Sequence, residues 1–373
     1  MVVVIAPDSF KGSLSALEAA QAMALGVRRV WPAVEIRLFP MADGGEGTLE
    51  AVLAATGGHC LQATVTGAHG RPVKAAYGLI DDSAVVIEVA QVVGITLTGV
   101  REVPVAERTT WGIGELMRHC LDRGVRRFWV GLGGSATNDG GVGMLAALGA
   151  RFLAGSGAAI VPTLSGLAEF EAADFSGLDP RLKSCEIILL TDVSNALCGE
   201  RGATAVFGPQ KGVLPAEIGP FDECLHRFGA ACDPWFGRDL SGQPGTGAAG
   251  GLGYALQLLG GRYGSGAEAL CGLLGLDDAL VGADWVITGE GGSDTQTLQG
   301  KAPFVVAQHA RRSGVPVTLI SGNIEASALA RLSDYFDRCF SLVSESVTLH
   351  RAMRDAAVLL ADGATLAATS EKK

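Results

Sequence analysis

Met1-Val-Val-Val-Ile-Ala-Pro-Asp-Ser-Phe-Lys-Gly-Ser-Leu-Ser15 opens the chain with a run that stays apolar through Ala6 and then turns abruptly small, polar and charged. No alternation interrupts the run, so it reads as a strand buried on both faces, the pattern of a parallel sheet. Ser13 and Ser15 are N-cap residues for a following helix, and Lys11 is placed for an anion at that helix N-terminus. A buried strand that leads through such a turn into a helix is the opening of a βαβ unit.

The same grammar recurs at Glu35 to Phe39, Arg127 to Gly131, Glu186 to Leu190, Trp285 to Thr288, Val315 to Ile320 and Cys339 to Leu342. With the first run this makes about seven strands, and they predict an α/β fold with a doubly wound, mostly parallel, Rossmann-like sheet. Two regions depart from the pattern. Leu61 to Glu88 alternates about a turn at Gly67-Ala-His-Gly70 and predicts antiparallel strands. The stretch 199–282 is rich in glycine, most densely at Gly242-Gln-Pro-Gly-Thr-Gly-Ala-Ala-Gly-Gly-Leu-Gly253. The expected Rossmann-like domain is therefore discontinuous, 1–60 with 107–198 and 283–373. A second, smaller α/β domain is built from the insertions 61–106 and 199–282, with a cleft between the two. The tail from Thr365 to Lys373 is small and polar and is expected to fray.

Composition narrows the function. At 373 residues the chain exceeds what one core usually organises. A hydrophobic share of 48% and a charged share of 18% are those of a globular protein. The formal net charge of −10 leaves no basic stripe to neutralise a polyanion, so neither nucleic acid nor an anionic membrane is expected as a partner. An anionic substrate would have to be attracted locally, through backbone N–H groups and a few cations. The eight cysteines are scattered without a CxxC pair, which argues for reduced thiols and against zinc or a disulfide framework. The N-terminal run lacks the charged flank of a signal peptide, and no apolar run approaches the roughly 18 residues that span a bilayer. A cytoplasmic monomer or homodimer acting on a small molecule is the expectation.

Ligands of open α/β sheets bind beyond the carboxyl ends of the strands, and the residues there are rich in Asp, Ser, Lys and Gly. Met41-Ala-Asp-Gly-Gly-Glu-Gly-Thr48 sets Asp43 and Glu46 around Gly44 and Gly45, a pairing that suits a metal or a hydroxyl, or else a capping box. Gly131-Leu-Gly-Gly-Ser-Ala-Thr-Asn-Asp-Gly-Gly141 is the densest site. Glycines 133, 134 and 140 leave backbone donors bare for phosphate, Ser135 and Thr137 add hydroxyls beside Asn138, and Asp139 is a candidate for Mg²⁺. Asp192 follows the fourth strand as a general base toward a hydroxyl or as a magnesium ligand. Lys211 stands between glycines in Phe207-Gly-Pro-Gln-Lys-Gly212, and Glu290, Asp294, Thr295 and Lys301 follow the fifth strand.

Competing chemistries fit less well. Gly131-x-Gly133-x-x-Ala136 has the spacing of a dinucleotide site, the basis for an NAD(P)-dependent oxidoreductase, yet no acid follows Ala150 until Glu169. There is no GxxxxGK[ST] P-loop, no HExxH, and the histidines at 59, 69, 119, 226, 309 and 350 avoid most of these loops. A periplasmic binder of two α/β domains would require an export signal.

Taken in order, Pro7-Asp-Ser-Phe-Lys-Gly-Ser-Leu14, Met41-Ala-Asp-Gly-Gly-Glu-Gly47, Gly133-Gly-Ser-Ala-Thr-Asn-Asp-Gly140, Phe207-Gly-Pro-Gln-Lys-Gly212 and Thr288-Gly-Glu-Gly291 with Asp294 resemble the type I glycerate kinase family. The resemblance implies transfer of the γ-phosphoryl of ATP to D-glycerate, or to a related small 2-hydroxy acid, with Mg²⁺ required and 2-phosphoglycerate as product. It implies that Gly133 to Gly141, with Ser135 and Thr137, hold the phosphates and that Asp139 holds Mg²⁺. Asp192 then accepts the hydroxyl proton while Lys11 and Lys211 neutralise the transferred group. Asp8, Ser9, Asp43, Gly44, Gly45, Glu46, Glu290 and Asp294 are left to the acceptor, with Asp43, Glu46, Glu290 and Asp294 alternatively supporting the metal. Where the family commonly reads Gly-Glu-Gly-Arg-Ile-Asp, this chain has Gly292 and Ser293, so a cation near the acceptor is missing unless Arg108 or Arg201 replaces it.

Overall fold

The computed structural model of the chain describes residues 1–42 and 44–371. In chain order its strands are β1 Val2–Ile5, β2 Glu35–Leu38, β3 His59–Thr66, β4 Pro72–Asp81, β5 Ala84–Glu88, β6 Arg127–Gly131, β7 Arg151–Ala154, β8 Phe170–Asp174, β9 Glu186–Leu190, β10 Arg262–Gly264, β11 Trp285–Thr288, β12 Gly292–Ser293, β13 Val317–Ser321, β14 Asn323–Ile324 and β15 Arg338–Ser341. Contacts divide the chain into two units, Met1–Asp43 with Glu50–Gly58 and Ser265–Lys373, and Gly44–Leu49 with His59–Gly264.

The first unit carries a five-stranded sheet in the order β15-β13-β11-β1-β2, parallel throughout. β11 and β13 are buried along their whole length and β1 along most of it, while β2 and β15 at the edges are largely half-buried, as their mixed composition dictates. Chain order reverses between β1 and β11, which makes the space beyond their carboxyl ends a topological switch point. Helix Ala16–Val30 starts at a capping box, in which Ser15 accepts from the Glu18 amide and Glu18 accepts from that of Ser15. It lies against helix Ala356–Glu371 so closely that a Cβ on Gly26 would stand 2.1 Å from the Ala361 carbonyl oxygen. Thr365 Oγ1 donates to the Gly26 carbonyl at 3.1 Å, and Ala367 and Ala368 are buried, so the tail expected to fray is packed helix up to Glu371.

The second unit carries a six-stranded mixed sheet, β10-β9-β6-β5-β4-β3. β3 and β4 pair antiparallel about the turn at Gly67 to Gly70, as the alternation predicts, with Val65 opposite Val73, and β4 pairs antiparallel with β5 across Asp81 and Ala84. The other edge of β5 pairs parallel with β6, which pairs with β9. This corrects the grouping of 107–198 with 1–60 and 283–373 in one sheet: β6 and β9 belong with 61–106. An uninterrupted apolar run reports burial on both faces but not which strand lies alongside. What is shown is an α/β fold with one large parallel and one large mixed sheet, beside the two-stranded pairs β12-β14 and β7-β8. Among the described residues no helix is long and apolar enough to cross a membrane.

Candidate functional site

In the second unit, the loop after β6 is glycine-rich chiefly because backbone packs on backbone. A Cβ on Gly133 would meet the Gly45 Cα at 2.5 Å, one on Gly44 (φ +89°) the Leu190 carbonyl oxygen at 1.8 Å, and one on Gly250 that of Thr137 at 2.0 Å. These approaches use up amides that the sequence offered to phosphate. Gly133 N donates to Gly44 O at 2.9 Å, Gly140 N to Gly250 O at 2.9 Å, Ala136 N to Val93 O at 2.8 Å and Gly141 N to Asp139 Oδ1 at 3.1 Å. The surface left for a ligand centres on Gly134 (φ +70°) and Ser135.

Thr137, Asn138 and Asp139 are fully buried beneath that surface. Asp139 Oδ2 accepts from Thr110 N and Thr110 Oγ1, both at 2.8 Å, and from Gly143 N at 3.3 Å, while Oδ1 accepts from Gly141 N. Burial pushes its carboxyl upward and the four hydrogen bonds oppose that shift. With both oxygens engaged at the start of helix Val142–Ala147, Asp139 does not fit a magnesium ligand. The role it has is structural: Asp139→Asn would set an amide donor against N–H donors, and we expect it to lose about 2 kcal/mol of stability. Denaturant unfolding measures that loss, and the magnesium dependence of the rate is expected to be unchanged.

Lys211 closes the site. It ends helix Ala203–Lys211, is only 4% exposed, and its Nζ donates to Thr137 O at 2.7 Å and Ser135 Oγ at 3.2 Å. Burial pushes the ammonium down to about 7, helped by Arg108 and opposed by Asp139. A cavity of about 450 Å³ opens here, lined by the apolar Ile95, Leu132, Val193 and Phe207 and by Gly134, Ser135, Lys211 and Arg101. Asp192 is exposed on the loop that carries Val193, beyond β9. Gly44 and Gly45 brace the glycine loop in the same unit, and Glu46 is exposed. Asp43 lies outside the described residues.

The first unit holds its own cavity, about 320 Å³, at the switch point. Asp8, Ser9, Lys11 and Ser13 enter it from the turn after β1, Glu290 to Gly292 from beyond β11, and Lys301 from the start of helix Ala302–Arg312. Glu290 is fixed by Ser293 Oγ at 2.9 Å and Thr297 Oγ1 at 2.6 Å, both on Oε1, which turns Oε2 toward Lys301 Nζ at 3.6 Å. Asp294 is a turn cap for the amides of Gln296 and Thr297 and stands 4.0 Å from Lys301. Ser293 hydrogen-bonds Ser321 Oγ at 2.7 Å, whereas a Cβ on Gly292 would meet open space. Leu342, Leu349, Ala352 and Met353 complete an apolar wall.

Sequence reasoning passed over Arg101 on the cavity wall and Glu88, which is buried and accepts from Leu49 N at 2.6 Å. Arg108, weighed only as a substitute cation for the acceptor, is buried with its donors on carbonyls of the second unit. Nothing in the local pattern around these three separates them from surface charge.

The description "Glycerate kinase family" fits residues 3–370 of the chain. The glycerate kinase of Bacillus subtilis (strain 168) is 42% identical over 359 residues, covering 96% of this chain and 94% of that protein. The glycerate 2-kinase of Escherichia coli (strain K12) is 40% identical over 358 residues, 95% of this chain and 94% of that one. A crystal structure of a protein provisionally named glycerate kinase 2, from Salmonella typhimurium LT2, superposes with a TM-score of 0.88 at 42% identity, covering 100% of this chain and 98% of that one.

Proposed function

The chain belongs to the glycerate kinase family, and we propose that it transfers the γ-phosphoryl group of ATP to the 2-hydroxyl of D-glycerate, giving 2-phosphoglycerate. The observation that carries the assignment of ATP is Lys211, a buried ammonium bonded to Ser135 in a cavity that apolar side chains also line. The apolar side chains suit a purine ring and the Lys211 ammonium its phosphates, where charge-assisted donors are strongest. The 320 Å³ cavity of the first unit suits the hydroxy acid, with Lys301 for its carboxylate and Asp8, Ser9 and Glu290 for its hydroxyls. Its place at the reversal of strand order supports reading that unit as a doubly wound sheet.

Phosphoryl transfer leaves little covalent work to the protein, which orients the partners and neutralises charge on the moving group. Lys211 and Lys11 are our assignment for that neutralisation, and Asp192 for the base that takes the hydroxyl proton. Magnesium would accompany ATP in this chemistry and would supply positive charge to its phosphates. Among the described residues no group of three His, Cys, Asp or Glu side chains is arranged to hold a metal, and an ion held mainly by phosphates and water needs only one or two carboxylates.

The test is ADP release from Mg-ATP with D-glycerate, L-glycerate, glycolate, lactate and tartronate, followed by phosphorus NMR of the product. Turnover on D-glycerate with a 2-phosphate product is expected. A 3-phosphate product would reverse the regiochemistry, and ADP release only with another acid would move the acceptor while leaving the ATP site in place.

A further inference from the structure

We infer that Arg108 is a positioning residue for phosphoryl transfer, holding the glycine loop and the end of the Lys211 helix at a fixed separation so that the Lys211 ammonium faces the cavity. The inference rests on the assignment of that cavity to ATP.

Arg108 is 3% exposed and is not among the residues lining the cavity. Its Nε donates to Val103 O at 3.0 Å, and a single terminal nitrogen donates to Ala136 O and to Lys211 O, both at 3.0 Å. Lys211 Nζ in turn donates to Thr137 O, the next carbonyl along the loop. The four groups form a closed circuit: Arg108 to Ala136, along one peptide to Thr137, across to the Lys211 side chain, and from the Lys211 carbonyl back to Arg108. A rigid guanidinium fork fixes three carbonyls at once, whereas a lysine in its place offers one mobile head. The following residues extend the clamp. Thr109 Oγ1 donates to Pro162 O at 3.0 Å, and Thr110 holds Asp139, so 108–110 grip the loop at both ends of 136–139.

The charge is as telling as the geometry. Among the described residues Arg108 makes no salt bridge, so a guanidinium is buried on carbonyls beside a second buried cation, an arrangement that is costly until an anion arrives. A neutral donor would have sufficed to tie a loop. The charged groups around Lys211 are Asp139, Arg108 and, on the cavity wall, Arg101. With Arg108 removed, the ammonium loses one repelling neighbour.

The experiment compares Arg108→Gln and Arg108→Lys with the wild type, measuring kcat, the KM of each substrate, the melting temperature, and kcat/KM for ATP against pH. For Arg108→Gln we expect kcat/KM for ATP to fall about 100-fold, the scale of a misplacement near 1 Å, while the KM for D-glycerate stays within about twofold of wild type. Its alkaline fall in kcat/KM for ATP moves to higher pH. Arg108→Lys keeps the wild-type pH profile, because the charge remains, and keeps a loss of about tenfold or more, because the fork does not. A loss shared equally by both substrates in proportion to the unfolded fraction, or variants within about threefold of wild type, would overturn the inference. Should Arg108→Gln not fold, the substrate split of Arg108→Lys decides between the same two outcomes. Titration of wild type with a non-hydrolysable ATP analogue separates the two levels: analogue binding without glycerate turnover removes the acceptor assignment and leaves the Arg108 comparison to be read as analogue affinity.

Discussion

Lys211→Met is expected to abolish most of the kinase activity without costing stability. Phosphoryl transfer places growing negative charge on the transferred group, and removing one preorganised donor at such a position costs about 100- to 1000-fold in kcat. Lys211 is 4% exposed and aimed by two hydrogen bonds, so the upper end of that range applies. Stability moves the other way. The Lys211 ammonium is pushed down to about 7 by burial, against an ordinary lysine near 10.4. Between those values the unfolded chain holds a proton that the folded chain has released, so stability rises with pH through the window and the full penalty is carried below about 7. Methionine removes that penalty, on the order of a few kcal/mol at most, and gives up two hydrogen bonds. At pH 6 the variant is therefore expected to melt no lower than wild type, and its stability is expected to be flatter between pH 7 and 10. In wild type, kcat/KM for ATP is expected to decline as pH rises through about 7, since that parameter reports the free enzyme. A Lys211→Met protein that melts much lower and retains a tenth or more of its kcat would mean that Lys211 is a strut.

Such an opposition between activity and stability could not be read from the chain, because the burial of Lys211 depends on residues far away in sequence. Ser135 and Thr137 precede it by 76 and 74 positions. Locally, Phe207 to Gly212 looks like a turn with a solvated lysine. The strands are the opposite case. Val2 to Ala6, Arg127 to Gly131, Glu186 to Leu190 and Trp285 to Thr288 declare themselves, because burial on two faces is written into consecutive apolar residues. Their allocation to sheets is not written there: β5 accepts β4 on one edge and β6 on the other through pairings that no periodicity encodes.

The glycine loops show why the site was half legible. Glycine in Gly131 to Gly141 correctly marked a place where backbone is approached closely, but the approaching group at Gly133, Gly140 and Gly141 is the protein's own chain, from Gly45, Leu225 with Phe228, and Ala255. Gly134 and Ser135 line the cavity of the second unit, and they are the part of the loop that the proposed ATP site uses. Asp139 fails for the same reason. A carboxylate in a glycine turn looks alike in sequence whether it faces an ion or the amides of Gly141 and Gly143.

Asp192→Ala is expected to lower kcat by about 100-fold or more, the range of a general base, and to leave the KM for both substrates within a few-fold. Asp192 lies on the loop beyond β9, one residue before Val193 on the wall of the cavity assigned to ATP, and it is an exposed residue. Exposure separates it from Asp139, whose oxygens are all spent inside the fold. A base must exchange its proton at each turnover, and of these two residues Asp192 is the exposed one. Asp192→Asn sharpens the test, since it keeps the size and the hydrogen-bonding reach while removing the basicity. If the carboxylate acts as base, Asn is as inactive as Ala. If Asn instead restores kcat to within about threefold of wild type, the residue orients its partner without accepting the proton. If the damage appears as a raised KM for ATP that extra Mg²⁺ relieves, Asp192 is the carboxylate on the metal.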